Sequence, residues 1–309
     1  MTPESGCNLC GSTRRVHLFE KFRFPIVACR DCGLHCLERM PSAAEVNAWY
    51  DEGYFTGDPE RRGYLNYLED RETLVATFDL KLQRLEDLLG PSQKPRRILD
   101  VGTATGFFLE AAERRGWVGC GTEVSEYAWK QAVQRGLSVV HGDSLEPFRG
   151  QKFDVVTLWD VLEHLRDPRG YLTRAQELLS DDGILAFSTG DVANIWSRLQ
   201  GKRNRIYNPP QHLYYFSRAT MIEISRRAGL EVVRIEPDEK ITTLHYVLHI
   251  ARNLVDLPLV AEVVGRAMRF IPDRTLHMKL SDNLVVYARR ATPKPRGTSP
   301  RPALESAAP

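Results

Sequence analysis

The sequence predicts an α/β protein: a mostly parallel, seven-stranded sheet with helices on both faces, preceded by a small metal-held ribbon. Three observations carry this. From Arg96 to Arg290, short apolar runs alternate with segments of helical period, the pattern of strands joined by helical crossovers. One of those runs ends in an acid and a glycine-rich turn, Ile98-Leu99-Asp100-Val101-Gly102-Thr103-Ala104-Thr105-Gly106-Phe107, and a helix-compatible run follows at once. The first forty residues contain two Cys-x-x-Cys pairs.

A chain of 309 residues exceeds one ordinary core and fits a main domain with additions. The boundaries read as a ribbon at 1–40, a helical connector or lid at 41–95, and the main domain at 96–290 with a helical insertion at 241–280. The Pro-, Ser- and Ala-rich 291–309 reads as a disordered tail. A net charge of +2 gives no global field for nucleic acid. No apolar stretch has bilayer length, and Met1 to Leu9 is not a signal peptide. A cytoplasmic, reducing setting is therefore expected, in which the six cysteines favour metal over disulfides.

In chain order, Cys7, Cys10, Cys29 and Cys32 come first, with eighteen residues between the pairs. Four thiolates at this spacing suit a tetrahedral, structural zinc. Gly11 and Gly33 follow the knuckles and permit their turns, and Cys36 stands outside the set. So short a segment lacks a core of its own, so metal is expected to supply its folding energy. Residues 41–95 are rich in aromatics, including Trp49, Tyr50, Tyr54, Phe55, Tyr64 and Tyr67. These either pack on the main domain or wall a site from water.

Strands are expected near 97–101, 118–122, 138–141, 153–159, 183–188, 230–236 and 283–289. The first ends at the glycine turn, where a missing Cβ lets a ligand approach the backbone. Twenty-one residues after Gly102, Glu123 closes the second run, where a carboxylate can accept both ribose hydroxyls. A dinucleotide loop wants a third glycine where Phe107 stands, so a nicotinamide oxidoreductase is a poor fit.

At these residues the chain resembles the class I S-adenosylmethionine-dependent methyltransferases, whose first motif is acid-x-Gly-x-Gly-x-Gly; Ala104 replaces the middle glycine. The resemblance implies a Rossmann-like fold and S-adenosylmethionine as cofactor. It implies that Asp100 acts through the loop, that Gly102, Ala104, Gly106 and Phe107 lie at the cofactor, and that Glu123 takes the ribose. Asp143, ending the third strand, would take the adenine edge, although a lone Asp there also serves as a helix cap.

The fourth strand ends in Leu158-Trp159-Asp160-Val161-Leu162-Glu163-His164, a fragment similar to the ubiquinone-biosynthesis O-methylase kind (methyltransferase type 23). Trp159 and Asp160 then face the cofactor. In some of those enzymes an acid-x-x-acid-His cluster is associated with a divalent ion, and Asp160, Glu163 and His164 match it; the residues alone favour a capped helix start over a metal site. The segment Asn208-Pro209-Pro210-Gln211-His212-Leu213-Tyr214-Tyr215-Phe216-Ser217 also resembles one lying over the active site in this group. His212, or else His164, is the expected general base, because an imidazole of ordinary pKa near 6.5 can take a hydroxyl proton. A structural histidine bonded to loop carbonyls is the alternative.

In the insertion, Leu244, Val247, Leu248, Ala251 and Val255, then Leu259, Val260, Val263, Val264, Ala267 and Met268, repeat at helical spacing. With Arg252, Arg266 and Arg269 opposite, such helices would cover a pocket, dimerise, or touch a membrane surface. The expected activity is methyl transfer to a small, sugar- or lipid-linked hydroxylated acceptor, most simply O-methylation. Sugar C-methylation, or a non-catalytic zinc-ribbon binding module retaining the cofactor fold, are the alternatives.

Overall fold

The computed structural model describes residues 6–42, 45–46, 49, 51–56, 70–244 and 274–292. The ribbon contributes β1 (Arg15–Lys21), β2 (Phe24–Cys29) and β3 (His35–Leu37). Two connector helices follow, α1 (Glu52–Thr56) and α2 (Arg71–Leu89). The main domain begins β4 (Arg97–Val101), α3 (Phe107–Arg114), β5 (Val118–Glu123), α4 (Glu126–Gln134) and β6 (Val139–His141). It continues β7 (Phe153–Trp159), α5 (Pro168–Glu177), β8 (Leu179–Gly190) and α6 (Ile195–Gln200). It closes with β9 (Tyr214–Tyr215), α7 (Arg218–Arg227), β10 (Leu230–Thr243) and β11 (Thr275–Arg290).

The main sheet runs β10-β11-β8-β7-β4-β5-β6, with β4 to β8 parallel and β11 antiparallel to both its neighbours. Strand order reverses between β4 and β7. At that switch point the two crossovers leave on opposite faces, which opens a crevice beyond the carboxyl ends of the strands.

Expected strands lie where they should, but three run longer. The expected strand at 183–188 treats Gly183 as a turn before it, but Gly183 lies within β8: a Cβ there would stand 3.0 Å from Phe153 O, and the strand continues back to Leu179. Strands β10 and β11 extend to Thr243 and from Thr275, pairing Ile241 with His277 and Thr243 with Thr275. Residues 241–243 and 275–280 of the expected helical insertion are therefore strand. Between Pro237 and Asp238 the pairing jumps from Leu284 to Leu280, so the extra residues of this irregularity lie on β11, and Asp238 is buried. Beyond Leu244, the two amphipathic helices of the insertion lie outside the described residues, as do Tyr50, Tyr64, Tyr67 and the tail from 293.

Cys7 Sγ is 3.6 Å from Cys32 Sγ and Cys10 Sγ is 3.5 Å from Cys29 Sγ, and the four sulfurs gather within 4.8 Å of one another. Zn–S bonds near 2.3 Å set tetrahedral S···S edges of about 3.8 Å, so the four thiols fit zinc. The knuckle glycines take left-handed φ of +80° and +75°, and their N–H groups reach back to the Cys7 and Cys29 carbonyls.

The ribbon's fold does not rest on metal alone. Strand β9, 177 residues beyond β3, completes its sheet through His35–Tyr215 and Cys36–Tyr214 pairs. Leu9, Ile26, Leu34 and Leu37 share one apolar cluster with Leu162, Tyr214, Phe216 and Met221. Asn8 clasps the start of α5, donating to Asp167 Oδ1 at 2.7 Å and accepting from Arg169 N at 3.1 Å.

Candidate active site

The turn after β4 takes positive φ at Gly102 (+70°), Ala104 (+51°) and Gly106 (+93°). A Cβ on Gly102 would come 2.6 Å from Val161 Cγ2, and one on Gly106 2.2 Å from Leu137 Cδ1. Glycine is thus demanded twice, by conformation and by packing. Ala104 adopts the same left-handed region without glycine's freedom, held there by an N–H bond of 2.7 Å to Glu123 Oε2. Asp100 lies behind the turn, accepting Thr157 Oγ1 at 2.6 Å and Thr103 Oγ1 at 3.1 Å. Burial pushes its carboxyl up to about 7 against those two hydrogen bonds. It shapes the turn rather than facing the crevice. The Phe107 ring is fully buried, with the Arg135 guanidinium 4.5 Å from its centre, so it is core and not a cofactor wall.

Glu123 ends β5 with Oε1 accepting Ser125 N and Oε2 accepting Ala104 N, each at 2.7 Å. Burial raises its pKa while the surrounding amides oppose the shift. Each carboxylate oxygen keeps a second lone pair, the capacity a ribose diol needs. Asp143 is exposed; its carbonyl accepts Tyr171 OH at 3.0 Å. Beside it, His141 stacks on Trp129 with centroids 5.1 Å apart.

Across the switch point, the Trp159 ring meets Phe108 edge-on at 5.5 Å and lies under Lys81 Nζ at 4.3 Å. Its buried Nε1 has no acceptor among the described residues. Asp160 adopts φ +53° and is gripped by Ser188 Oγ (2.7 Å), Asn283 Nδ2 (3.1 Å) and Lys240 Nζ (3.6 Å). Burial opposes its ionisation, but the Lys240 and Lys81 ammonium groups hold it well below the ordinary carboxylate range. Asn283 also reaches Asp238 at 3.2 Å, and Asp238 pairs with buried Lys81 at 2.8 Å.

Lys81, Ser188, Asp238, Lys240 and Asn283 were not legible as site residues. One signal existed: Lys81 interrupts the apolar stripe of α2 between Val75 and Leu85. Tyr54, anticipated as a wall residue, does approach the site. Burial first, then the Asp160, Glu123 and Glu163 carboxylates, hold its phenol protonated.

Glu163, His164 and His212 converge with ligand atoms within 4.8 Å of one another, a geometry able to hold a cation. The resemblance grouped Asp160 with Glu163 and His164; the structure puts His212 there and turns Asp160 to Lys240. Burial and the Asp160 charge push Glu163 up to about 8, and its Oε2 has no partner among the described residues. The histidine rings cross at 4.7 Å, with His164 Nδ1 on Gln211 O at 2.9 Å and His212 Nδ1 on Ile206 O at 2.7 Å. Burial lowers His164 to about 4, and burial with the neighbouring ring lowers His212 to about 3. Neither keeps the ordinary value near 6.5 that made it attractive as a base. A carbonyl only accepts, so each Nδ1 carries hydrogen and the His212 lone pair lies on Nε2.

A glycine turn at the switch point of this sheet, a buried acid one strand over and a polar wall after β7 define a class I methyltransferase fold. The chain belongs to the methyltransferase-domain family, whose profile matches residues 67–235. It is 37% identical over 106 residues to the ubiquinone biosynthesis O-methyltransferase of Actinobacillus pleuropneumoniae serotype 5b, covering 30% of this chain and 45% of that one. The same-named protein of Bordetella avium is 31% identical over 124 residues, covering 38% and 51%. The chain thus spans about half the length of these curated relatives. Among solved structures, magnesium protoporphyrin IX methyltransferase from Synechocystis with bound S-adenosylhomocysteine shares the fold at TM-score 0.51 and 16% identity, covering 81% of this chain and all of that one.

Proposed function

We propose that this protein methylates a hydroxyl oxygen of a small acceptor, sugar- or lipid-linked, using S-adenosylmethionine. The observation carrying this reading is the convergence, on either side of one crevice, of the Gly102–Gly106 turn with Glu123 and of the Glu163–His164–His212 cluster. The names of the curated relatives favour oxygen over carbon or nitrogen.

S-adenosylmethionine, when bound, supplies a methyl group on a sulfonium, already activated for displacement. The chain's part is alignment and proton removal. The turn's backbone and Glu123 hold the adenosine, with Trp159 Nε1 a buried donor available to it. Asp143 borders the adenine end. Asp160, held ionised by Lys240, Ser188 and Asn283, presents fixed negative charge beside a cationic cofactor. His212 stays neutral, its Nδ1–H fixed on Ile206 O, so Nε2 accepts the proton as the acceptor oxygen attacks. A base so weak holds that proton only briefly, which suits relay onward to water.

Calorimetry with S-adenosylmethionine tests the assignment. Glu123→Ala loses hydrogen bonds to a charged group, so affinity should fall at least ~10-fold. His212→Ala should leave cofactor affinity within about threefold while methyl transfer into acceptor fractions drops ~10²-fold or more. Undiminished binding by Glu123→Ala overturns the reading.

A further inference from the structure

A polar cleft of about 280 Å³ opens at the end of β4 opposite the glycine turn. It is walled by Glu86, Pro91, Lys94, Arg96, Arg115 and Trp117. The last turn of α2, the loop into β4 and the turn between α3 and β5 meet there. Methyl transfer makes no use of it: β4 runs from Arg97 to Val101 before the chain reaches Gly102, a span of roughly 16 Å.

The charges of the cleft are unevenly spent. Glu86 accepts Arg115 Nε at 3.0 Å and Trp117 Nε1 at 3.2 Å, and Arg115 lies 3.6 Å from Asp79. Those two acids are committed to one arginine. Lys94 is exposed and Arg96 half-buried, and among the described residues neither belongs to an ion pair. Arg96 is nevertheless held in place. Its Nη2 donates to Gly90 O just past α2, and its guanidinium carbon lies 5.5 Å from the centre of the Trp117 ring. The negative end of the α2 dipole accounts for one such cation, and Nη2 serves it. It does not account for Lys94, nor for Arg96 Nη1, which is buried with no acceptor among the described residues. A buried donor left unbonded costs free energy, so the wall of this cleft is short of an acceptor.

We infer that the cleft binds a phosphate group, with Arg96 donating to its oxygens and Lys94 supplying a second positive charge. A phosphomonoester is close to doubly negative at neutral pH, which matches two cations that face no committed acid. A carboxylate would answer only one of them. A guanidinium held in one plane is also the better half of an oxyanion site, because less freedom is lost for each hydrogen bond formed. The volume lies near the lower edge of small-molecule sites, so a short carbon skeleton fits beside the phosphate. Free phosphate offers the same chemistry without the skeleton.

Calorimetry on the full-length, zinc-loaded protein without S-adenosylmethionine tests this. The probes are glucose 6-phosphate and inorganic phosphate, with glucose and sodium chloride at matched ionic strength as controls. Saturable binding of a phosphate compound, with a rise in melting temperature that neither control produces, is expected. Tighter binding of the ester assigns a phosphorylated metabolite, and tighter binding of inorganic phosphate assigns the free ion. Lys94→Gln and Arg96→Gln should each weaken binding at least ~10-fold, the loss of a hydrogen bond to a charged group. Lys94 is exposed, so Lys94→Gln should keep the ligand-free melting temperature even where Arg96→Gln loosens α2. Glu123→Ala should bind phosphate as the wild type does, which keeps this result separate from the cofactor assignment. Absence of saturable binding, wild-type affinity in either cleft variant, or an equal response to chloride, which marks an adventitious ion only, overturns the inference.

Discussion

Glu163, Asp100, His164 and His212 are each buried in the form that carries no charge, and each makes stability depend on pH. A carboxyl raised above its unfolded value keeps its proton while the unfolded chain ionises, so stability is lost as pH rises toward about 8 for Glu163 and about 7 for Asp100. A histidine lowered below 6.5 works the other way: the unfolded chain binds a proton first, so stability falls as pH drops toward about 4 for His164 and about 3 for His212. Below 6.5 the two trends oppose each other, and between 6.5 and 8 only the carboxyls act. Glu163→Gln should therefore stabilise the protein at pH 8, by on the order of 2 kcal/mol. Denaturation at pH 8 and pH 5 checks this, with the gain shrinking at the lower pH. The lowered imidazoles also place the acid limb of the rate profile well below 6.5.

Among elements, β9 is the consequential one. It has two residues, yet it joins the ribbon sheet to the loop carrying His212. Leu37 N to Leu213 O at 3.0 Å, His35 Nδ1 to Tyr207 OH at 3.0 Å and Leu213 N to Glu163 O at 2.8 Å extend that link into the site. Loss of one zinc ligand should then be felt at the site. Cys29→Ser should release zinc and speed amide exchange in Leu213–Tyr215 while the β4 and β7 amides keep wild-type protection. Equal protection of 213–215 would show the ribbon to be independent of the loop. Of this arrangement, the sequence made the ribbon and the His-aromatic segment legible separately. Their pairing spans 177 residues, and no local pattern records a long-range partner.

Across the whole molecule, connector, sheet and hairpin meet at Lys81. It stands on α2, pairs with Asp238 of β10 in the interior and caps the Trp159 ring at the end of β7. Lys81→Met removes one of two cations from buried Asp238, which keeps Lys240 at 3.5 Å and Asn283 at 3.2 Å, so it should cost about 3 kcal/mol in chemical denaturation, the low end for a broken buried pair. Methionine preserves most of the packing volume, so the loss reports the weakened neutralisation of Asp238. Among the described residues, no helix is long and apolar enough to cross a membrane.

What the sequence determined by itself was whatever is local or periodic: strand positions from apolar runs, the turn from Gly102 and Gly106, the acid that closes the second strand, and the four-cysteine cluster from paired cysteines. Tertiary structure alone decided the rest. It buried the Phe107 ring, bulged β11 opposite Pro237-Asp238, brought Lys81 and Asn283 to the crevice, and shifted both histidines by burial. Proton affinity and partner choice depend on the field and solvent exclusion created by distant segments, and those exist only once the chain has packed.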